Sequence, residues 1–472
     1  MTVDLAQPVE PLDRLGPVHF IAIGGAGMSG IARLYLDRGL TVSGSDQSDS
    51  DELRALAAAG ARVWVGHEAA RLGPVETAVV SSAIRSDNVE YEALRDRGVR
   101  LWHRSTALAA LMLGRTGVAV AGTHGKTTTT GMIVTALTGL GRDPGYVIGS
   151  TLATSGQAAA LGTGPEFVVE ADESDGSFVN YPAQLAVITN IDQAGDHLDH
   201  WRTAEAYQAG FAEFARGPQV EQVVISADDP GAAGLLADLR AEGRSVTSFG
   251  FSPTADVRLT EPVLNGLHPT AQLQLPGAAA SWPLRLSVPG KHNLLNAAAA
   301  VAAGLALGAE PSDLVSTLAD FRGTARRFEF KGEIDGITVV DDYAHHPTEI
   351  AATVAAARTV ADGRRLVAAF QPHLFSRTRD LADQLGASLA AVDALVVTDI
   401  YPAREAPLPG VTGQLVAQAA DRHGLSAIYQ PQLSEVAATL RQLVQPGDLV
   451  LTLGAGSITT VGPALLMALG AA

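Results

Sequence analysis

One short segment of the chain has the residue types of a phosphate-binding loop. Residues 122–129 read Gly-Thr-His-Gly-Lys-Thr-Thr-Thr, between an apolar run that predicts a strand and a segment that predicts a helix. In such a loop the backbone N–H groups surround phosphates, Lys126 reaches the β- and γ-phosphates, and the Thr127 hydroxyl can bind Mg²⁺. The loop is shorter at its front than the usual G-x-x-x-x-G-K-[ST] pattern, because Val120 stands where the first glycine is expected.

Acidic residues that could bind the metal follow the next apolar run. Residues 170–175 read Glu-Ala-Asp-Glu-Ser-Asp. Carboxylates at the carboxyl end of a strand, in a domain with a phosphate loop, are placed to bind Mg²⁺ directly or through water. Not all four acids can bind the metal, and Glu170 is the best candidate. His197, in a segment rich in His and Asp, predicts either a second metal site or a phosphate contact, or else is structural.

A second glycine-rich turn lies near the N-terminus. Residues 25–30 read Gly-Ala-Gly-Met-Ser-Gly between a predicted strand and a predicted helix. This spacing lets backbone N–H groups approach a pyrophosphate at the positive end of the helix. Asp46 lies about 20 residues further on, where an acid would bind a ribose. The pattern does not separate NAD from another pyrophosphate nucleotide, and a βα turn without a ligand would show it too.

Three polar segments of the second half could contact ligands. Residues 290–296 open a predicted helix, where His and Asn can stack on a base or cap the helix. Residues 340–347 place two acids and two histidines after a strand, and we interpret them as ligand contacts because no zinc-binding H-E-x-x-H pattern exists. Arg377, after a Gln-Pro-His segment, suits a carboxylate or a phosphate.

The elements that must position these residues are predicted to be βα units. Short apolar runs alternate with longer Ala- and Leu-rich segments, which is typical of parallel sheets flanked by helices. The sequence predicts an α/β fold with three domains: a Rossmann-like domain at 1–113, a P-loop-type central domain at 114–323 and a second Rossmann-like domain at 324–472. The stretch 251–289 is predicted to form antiparallel strands.

Composition limits the possible partners. The formal net charge of -17 disfavours nucleic acid and anionic membranes. The absence of cysteine excludes disulfides and thiolate sites. The first residues lack a signal-peptide pattern, and the apolar stretches are too short to span a membrane. We therefore expect a cytoplasmic protein, a monomer or homodimer, with no nucleic-acid or membrane partner.

Taken in order, the motifs resemble those of the Mur ligase superfamily along the whole chain. The matching segments include IGGAGMSG at 23–30, GTHGKTTTT at 122–130, EADESD at 170–175, GKHNLLNA at 290–297 and VDDYAHHPTE at 340–349. The phosphate loop is typical of the superfamily. The pairing of the first and last segments points to its alanine-adding branch.

The resemblance implies a reaction in which ATP drives the joining of L-alanine to UDP-N-acetylmuramate. The first domain would bind the UDP part of the substrate, the central domain ATP and Mg²⁺, and the third domain would close over the nucleotide and admit the amino acid. The substrate-binding residues that it implies are Gly25, Ala26, Gly27, Met28, Ser29, Asp46, Ser81, Tyr343, His345, His346, His373 and Arg377.

The resemblance also implies catalytic and ATP-binding roles. Lys126 would stabilise the transferring phosphoryl group, Thr127 and Glu170 would hold one Mg²⁺, and His197 would lie at a second. Arg327 would contact phosphate, Asn296 would lie near adenine, and Asp342 would contact the ribose or lie in the hinge region. The full set of implied ATP contacts is Gly122, Thr123, His124, Gly125, Lys126, Thr127, Thr128, His292, Asn293, Asn296, Arg327 and Asp342.

The chain departs from the family pattern at two points. Family members usually read N-[IV]-[DE]-x-D-H, whereas this chain has two additional residues before His197. It also has no lysine between Lys126 and Lys291, so the carbamylated lysine of several related ligases is absent. This argues against the D-glutamate- and diaminopimelate-adding members.

Three alternatives remain at this point. A recycling ligase that attaches a whole tripeptide to the same muramate would share most motifs. An NAD-dependent oxidoreductase would explain the first glycine turn but not the phosphate loop. A nucleotide-binding regulator would bind ATP without amine-dependent release of phosphate.

Overall fold

The protein contains three β-sheets flanked by helices. The computed structural model describes residues 7–403 and 405–470. These residues form two compact units. The first comprises residues up to 260 together with 273–282 and 295–318, and the second comprises 261–272, 283–294 and the chain from 319 onward.

The N-terminal sheet is entirely parallel. Its strand order is β3-β2-β1-β4-β5. Strands β2 and β3 are added on one side of β1 and strands β4 and β5 on the other, and the glycine turn follows β1 at this switch point. The strands are β1 (Val18–Ile21), β2 (Val42–Asp46), β3 (Arg62–Val65), β4 (Thr77–Val80) and β5 (Arg100–His103); the helices are α1 (Ala26–Asp37), α2 (Asp51–Ala58), α3 (Val89–Asp96) and α4 (Arg104–Met112).

The central sheet has ten strands in the order β15-β14-β13-β12-β11-β10-β6-β9-β7-β8. Strand β6 lies between β9 and β10, so the loops at their carboxyl ends meet. The strands are β6 (Thr116–Ala121), β7 (Gly145–Val147), β8 (Ala159–Ala160), β9 (Glu166–Glu170), β10 (Leu185–Ile188), β11 (Gln222–Ser226), β12 (Val246–Gly250), β13 (Val257–Val263), β14 (Thr270–Gln274) and β15 (Trp282–Arg285); the helices are α5 (Lys126–Gly139), α6 (Leu198–Trp201), α7 (Ala204–Ala215), α8 (Pro230–Ala241), α9 (Lys291–Ala306) and α10 (Pro311–Leu318).

The C-terminal sheet runs β16-β17-β21-β18-β19-β20 and is parallel except for β16. The strands are β16 (Glu329–Ile334), β17 (Ile337–Asp342), β18 (Leu366–Phe370), β19 (Ala394–Val397), β20 (Ala427–Tyr429) and β21 (Leu449–Leu453); the helices are α11 (Pro347–Ala361), α12 (Phe375–Leu389), α13 (Gln414–Arg422), α14 (Leu433–Leu443) and α15 (Val461–Gly470).

The apolar runs of the sequence become the buried strands. Strands β1, β4, β10, β18 and β21 are buried along their whole length, as expected for parallel strands covered on both faces. The α/β prediction with three mainly parallel sheets is confirmed. Within the described residues, no helix combines the length and apolar character needed to cross a membrane.

The stretch 251–289 joins the rest of the central sheet through β13, and the antiparallel pairing predicted within that stretch stays a prediction. Strand β13 pairs in parallel with β12 over two residue pairs. The Asp256 carboxylate explains the path of the chain, because it accepts hydrogen bonds from the backbone N–H and the hydroxyl of Ser248 at 2.8 and 2.6 Å. These bonds hold the start of β13 beside β12.

Two helical glycines provide a matched test of the C-terminal packing. A Cβ at Gly386 in α12 would lie 2.4 Å from the Cβ of Ala419 in α13, whereas a Cβ at Gly234 in α8 would meet no atom within 4 Å. We expect Gly386→Ala to cost about 1–3 kcal/mol through overpacking. Gly234→Ala should stabilise by about 0.5–1 kcal/mol, because alanine has less backbone freedom to lose. Unfolding midpoints of the two variants measure both effects, and equal stability of Gly386→Ala and wild type would contradict the close α12–α13 packing.

Candidate active site

The phosphate loop between β6 and α5 is held in place by the end of β10. The Asn190 side chain accepts a hydrogen bond from His124 N–H and donates one to the His124 carbonyl, both at 2.9 Å. The Thr189 hydroxyl donates to the same carbonyl at 2.6 Å. Gly125 begins the helix with φ of 82°, a left-handed conformation that glycine adopts without steric cost. The loop is therefore fixed at the N-terminus of α5, where the helix dipole favours an anion.

Asn296 lies directly against this loop. A Cβ at Gly125 would come within 2.6 Å of the Asn296 Oδ1 atom, so glycine is required at this position for packing as well as for conformation. The contact of Asn296 in this structure is with the phosphate loop, and its placement near adenine stays a prediction.

The two expected magnesium ligands from the loop and from β9 lie together. The Thr127 hydroxyl donates to Glu170 Oε1 at 2.9 Å, and Gly149 N–H donates to Glu170 Oε2 at 2.7 Å. A hydroxyl and a carboxylate are hard oxygen donors, so this pair fits Mg²⁺. His197 begins α6 in a left-handed conformation, with its Nε2 atom 3.6 Å from Asp196, and an imidazole is a less suitable Mg²⁺ ligand than oxygen.

The other acids of the 170–175 segment have different partners. Asp172 lies 3.5 Å from the Arg104 guanidinium. Burial alone would raise the pKa of Asp172, but Arg104 and Lys126 lower it to about 2. Asp175 accepts a hydrogen bond from the Ser82 hydroxyl at 2.7 Å and lies 3.4 Å from the His103 imidazole. Asp172 and Asp175 thus connect the segment to the carboxyl ends of β4 and β5.

Glu173 is paired with the lysine of the phosphate loop. The Lys126 ammonium lies 2.7 Å from Glu173 Oε2, and the Glu173 side chain is fully buried. Burial raises the pKa of Glu173 to about 7 although Lys126 opposes this shift. Burial lowers the pKa of Lys126, but the negative charges of Glu173 and Asp172 raise it by more, so the pKa of Lys126 lies above its usual value.

The N-terminal glycine turn is organised by Asp46 and lies beside Arg104. Gly24 N–H donates to Asp46 Oδ2 at 2.9 Å, and Gly25 begins α1 without a side-chain cap. A Cβ at Gly27 would lie 2.9 Å from the Arg104 guanidinium, which brings a cation to this helix N-terminus in an otherwise acidic chain. In α1, Met28 is buried and Ser29 partly buried, whereas the side chain of Ala26 lies outside the described residues. The Ser81 carbonyl accepts a turn hydrogen bond from Ile84 N–H at 3.1 Å.

In the C-terminal unit, four rings form a row at the carboxyl ends of β17, β18 and β19. Ring centroids lie 5.4 Å apart for Tyr343 and His345, 5.4 Å for His345 and His373, and 6.0 Å for His373 and Tyr401. Arg377 lies in the first turn of α12, which follows β18. The structure therefore brings together three of the residues expected to contact substrate and adds Tyr401.

Glu349 holds the two histidines in place. Its Oε2 atom accepts hydrogen bonds from the backbone N–H groups of His345 and His346 at 3.1 and 3.3 Å, and its other oxygen lies 3.9 Å from Arg327. The His346 side chain is buried as the N-cap of α11. Glu349 stands three residues after the cap, the spacing of a capping box, although His346 replaces the usual Ser or Thr.

The adjacent arginines have different environments. The Arg326 guanidinium donates to the carbonyl groups of Gly454 and Gly456 at 2.6 and 3.1 Å, so it stabilises the end of β21. Arg327 lies over the Tyr343 ring at 5.2 Å, as Arg326 does at 4.7 Å, and 29% of the Arg327 side chain is exposed.

The hydrogen-bonding capacity of the Asp342 carboxylate is used by groups within the C-terminal unit. Its carboxylate accepts hydrogen bonds from the N–H groups of Phe328 and Ala344, both at 2.8 Å, and burial raises its pKa. Its contact with the ribose or its place in the hinge region stays a prediction.

Several site residues were absent from the sequence-based assignment. They are Arg104, Glu173, Asn190, Glu349 and Tyr401. Asn190 and Glu173 stand within recognised motifs, so their proximity to the phosphate loop could have been suspected. Arg104 and Tyr401 had no signal beyond their positions after strands.

A lysine-containing phosphate loop beside a hydroxyl–carboxylate pair, with a second glycine turn on a separate parallel sheet, defines a multidomain nucleotide-binding protein. Family models match the chain as "Mur ligase family, catalytic domain" over residues 17–116, "Mur ligase middle domain" over 120–304 and "Mur ligase, glutamate ligase domain" over 326–456.

Individual relatives agree with these matches. The chain is 53% identical to a UDP-N-acetylmuramate–L-alanine ligase of Cutibacterium acnes, with 98% of each chain covered. It superposes on the crystal structure of a UDP-N-acetylmuramate–alanine ligase from Thermotoga maritima with a TM-score of 0.82 at 27% identity, covering 96% and 99% of the two chains. A murein peptide ligase from Psychrobacter arcticus gives a TM-score of 0.72 at 26% identity with the same coverage. The chain belongs to the Mur ligase family, and the resemblance seen in the motifs is confirmed.

His292 gives a test of the site's electrostatics. Burial, with a contribution from Arg327, lowers the pKa of His292 from 6.5 to about 4. The unfolded chain therefore binds this proton more readily than the folded chain, so stability is lost as the pH falls from 6.5 towards 4. His292→Asn should lose less stability than wild type between pH 7 and pH 4.5, measured by denaturant unfolding. An equal loss in both proteins would show that His292 is not held neutral.

Proposed function

We propose that the protein joins L-alanine to the lactyl carboxylate of UDP-N-acetylmuramate, with cleavage of ATP to ADP and phosphate, in the synthesis of peptidoglycan precursors. The observation that supports this most strongly is the geometry of the phosphate loop, where Lys126, Thr127 and Glu170 converge in a chain that is 53% identical to a ligase of this name. The fold places this loop at the carboxyl edge of the central sheet, where open α/β sheets bind ligands.

The chemistry requires activation of a poor electrophile. A carboxylate resists attack by an amine, so the γ-phosphoryl group is first transferred to it, which gives an acyl phosphate with a good leaving group. The alanine amine then attacks the carbonyl carbon, and the tetrahedral intermediate expels phosphate. Such steps are accelerated mainly by positioning and by stabilisation of charge.

The residues of the central domain handle the phosphate. Lys126 stabilises the charge of the transferring phosphoryl group. Thr127 and Glu170 would hold Mg²⁺, which would neutralise phosphate charge, and His197 would lie at a second metal ion. Thr123, His124 and Thr128 belong to the loop that surrounds the phosphates, and Asn190 fixes that loop.

The flanking domains bind the remaining parts of the substrates. The glycine turn and Asp46 hold the uridine diphosphate, and Arg104 supplies positive charge beside them. The row of rings, which consists of Tyr343, His345, His373 and Tyr401, binds the muramoyl carboxylate and the amino acid. His346 and Arg377 contribute to the same binding site. Arg327 contacts phosphate, and His292 and Asn293 contact ATP.

We further propose the domain limits 1–113, 114–323 and 324–472. We also propose that the protein is cytoplasmic, is a monomer or homodimer, and has no nucleic-acid partner.

The recycling ligase is the less favoured candidate. At nearly equal identity, the alanine ligase structure fits this chain better than the murein peptide ligase structure, with TM-scores of 0.82 and 0.72. The relative at 53% identity also has the alanine-ligase name.

The decisive assay is phosphate release from ATP with UDP-N-acetylmuramate and a series of amines. We expect release that depends on L-alanine and a product of corresponding mass. The tripeptide L-alanyl-D-glutamyl-diaminopimelate is the control amine. Release with the tripeptide but not with L-alanine would support the recycling ligase, and release without any amine dependence would exclude both.

Lys126→Ala should reduce kcat by at least about 10²- to 10³-fold, because one donor to the developing charge is lost. Binding of UDP-N-acetylmuramate, measured by calorimetry, should stay nearly unchanged. The substitution leaves the buried Glu173 carboxylate without its partner, so Lys126→Ala/Glu173→Gln is the control for folding. Activity close to wild type in either variant would refute the role of Lys126.

A further inference from the structure

The Lys126 ammonium is surrounded by protein oxygens. It lies 2.7 Å from Glu173 Oε2, 2.6 Å from the Gly122 carbonyl oxygen and 3.2 Å from the Thr123 carbonyl oxygen. The ammonium donates hydrogen bonds to the two carbonyl oxygens and forms an ion pair with the Glu173 carboxylate. Terminal phosphates that approach the ammonium therefore compete with this ion pair for it.

Glu173 is held firmly in its position. Its carbonyl accepts hydrogen bonds from Gly176 N–H at 3.1 Å and from the Trp201 indole N–H at 3.0 Å. The Tyr207 hydroxyl lies 3.5 Å from Glu173 Oε1 and 2.7 Å from the Thr123 hydroxyl. Because the backbone is fixed and the carboxylate fully buried, Glu173 cannot follow Lys126 towards a ligand.

Each of the four acids in the 170–175 segment has its own partner. Glu170 contacts Thr127, Asp172 lies near Arg104, and Asp175 contacts Ser82, whereas Glu173 pairs with Lys126. The proposed metal site uses Glu170, and the proposed reaction gives Glu173 no part.

We propose that Glu173 is a positioning residue that holds Lys126 in a resting conformation and competes with the terminal phosphates of the nucleotide for it. When a nucleotide binds, the ammonium moves from the carboxylate to a phosphate. Nucleotide binding is therefore weaker by the free energy of the ion pair that is lost. This inference rests on the proposed function, because it requires a nucleotide in the loop.

The test is calorimetric measurement of the Kd for Mg²⁺-ADP in wild type and Glu173→Gln. The amide keeps the shape of the side chain but pairs less strongly with the ammonium. Removal of a partner that competes in the free protein tightens binding, and we expect the Kd to fall about tenfold. AMP is the control ligand, because it lacks the phosphates that Lys126 reaches, and its Kd should not change. Asp175→Asn, in the same segment but paired with Ser82, is the control variant and should leave the Kd for ADP unchanged.

A double-mutant cycle separates competition from a general structural effect. In a Lys126→Met background, Glu173→Gln should no longer tighten ADP binding, because the ammonium for which carboxylate and phosphate compete is gone. If Glu173→Gln does not fold, Glu173→Asp, which withdraws the carboxylate by one methylene, should tighten binding in the same direction. An unchanged or weaker affinity for ADP, tightening that extends to AMP, or tightening that persists in the Lys126→Met background would overturn the inference. Failure of the wild-type protein to bind ADP at all would instead refute the proposed function.

Discussion

Four carboxylates within six residues can lie together in a folded protein only if each has its own partner, which is a cation or a hydrogen-bond donor. The structure around the 170–175 segment depends on this constraint. Two like charges in a buried site repel each other strongly, and unpaired burial of either is costly. Here Glu170 faces Thr127 and Gly149, Glu173 faces Lys126, and the two aspartates face the N-terminal sheet.

This distribution of partners connects the two ligand sites of the first unit. The phosphate loop contacts the segment through Lys126 and Thr127, and the segment in turn contacts Arg104, which lies against the N-terminal glycine turn. The two glycine-rich turns, which are far apart in sequence, are therefore joined by one set of polar contacts. An enzyme that transfers a phosphoryl group between two separately bound substrates needs such fixed positioning, because a misplacement of about 1 Å is costly.

Most of the fold and the main elements of the site could be predicted from sequence because both depend on local patterns. Buried parallel strands appear as apolar runs, and the loops that follow them must lie at the same edge of a sheet, as with residues 122–125 and 170–175. Pairings between distant residues are a different matter. No spacing rule relates Lys126 to Glu173 or Gly27 to Arg104, because these contacts arise from the crossing of separate sheets and loops. The contact of Asp256 with Ser248, which accompanies the parallel pairing of β12 with β13, likewise has no signal in the apolar pattern.

We expect Lys126 to leave a buried carboxylate and bind the terminal phosphates of ATP, at the site where Thr127 and Glu170 would hold magnesium. A crystal structure of the protein with Mg²⁺ and a non-hydrolysable ATP analogue tests it directly. In that structure we expect the Lys126 ammonium within hydrogen-bond distance of the β- or γ-phosphate, away from Glu173, with the metal ion bound to the Thr127 hydroxyl and the Glu170 carboxylate. A structure with the nucleotide bound and Lys126 still paired with Glu173, or with the metal bound elsewhere, would contradict it.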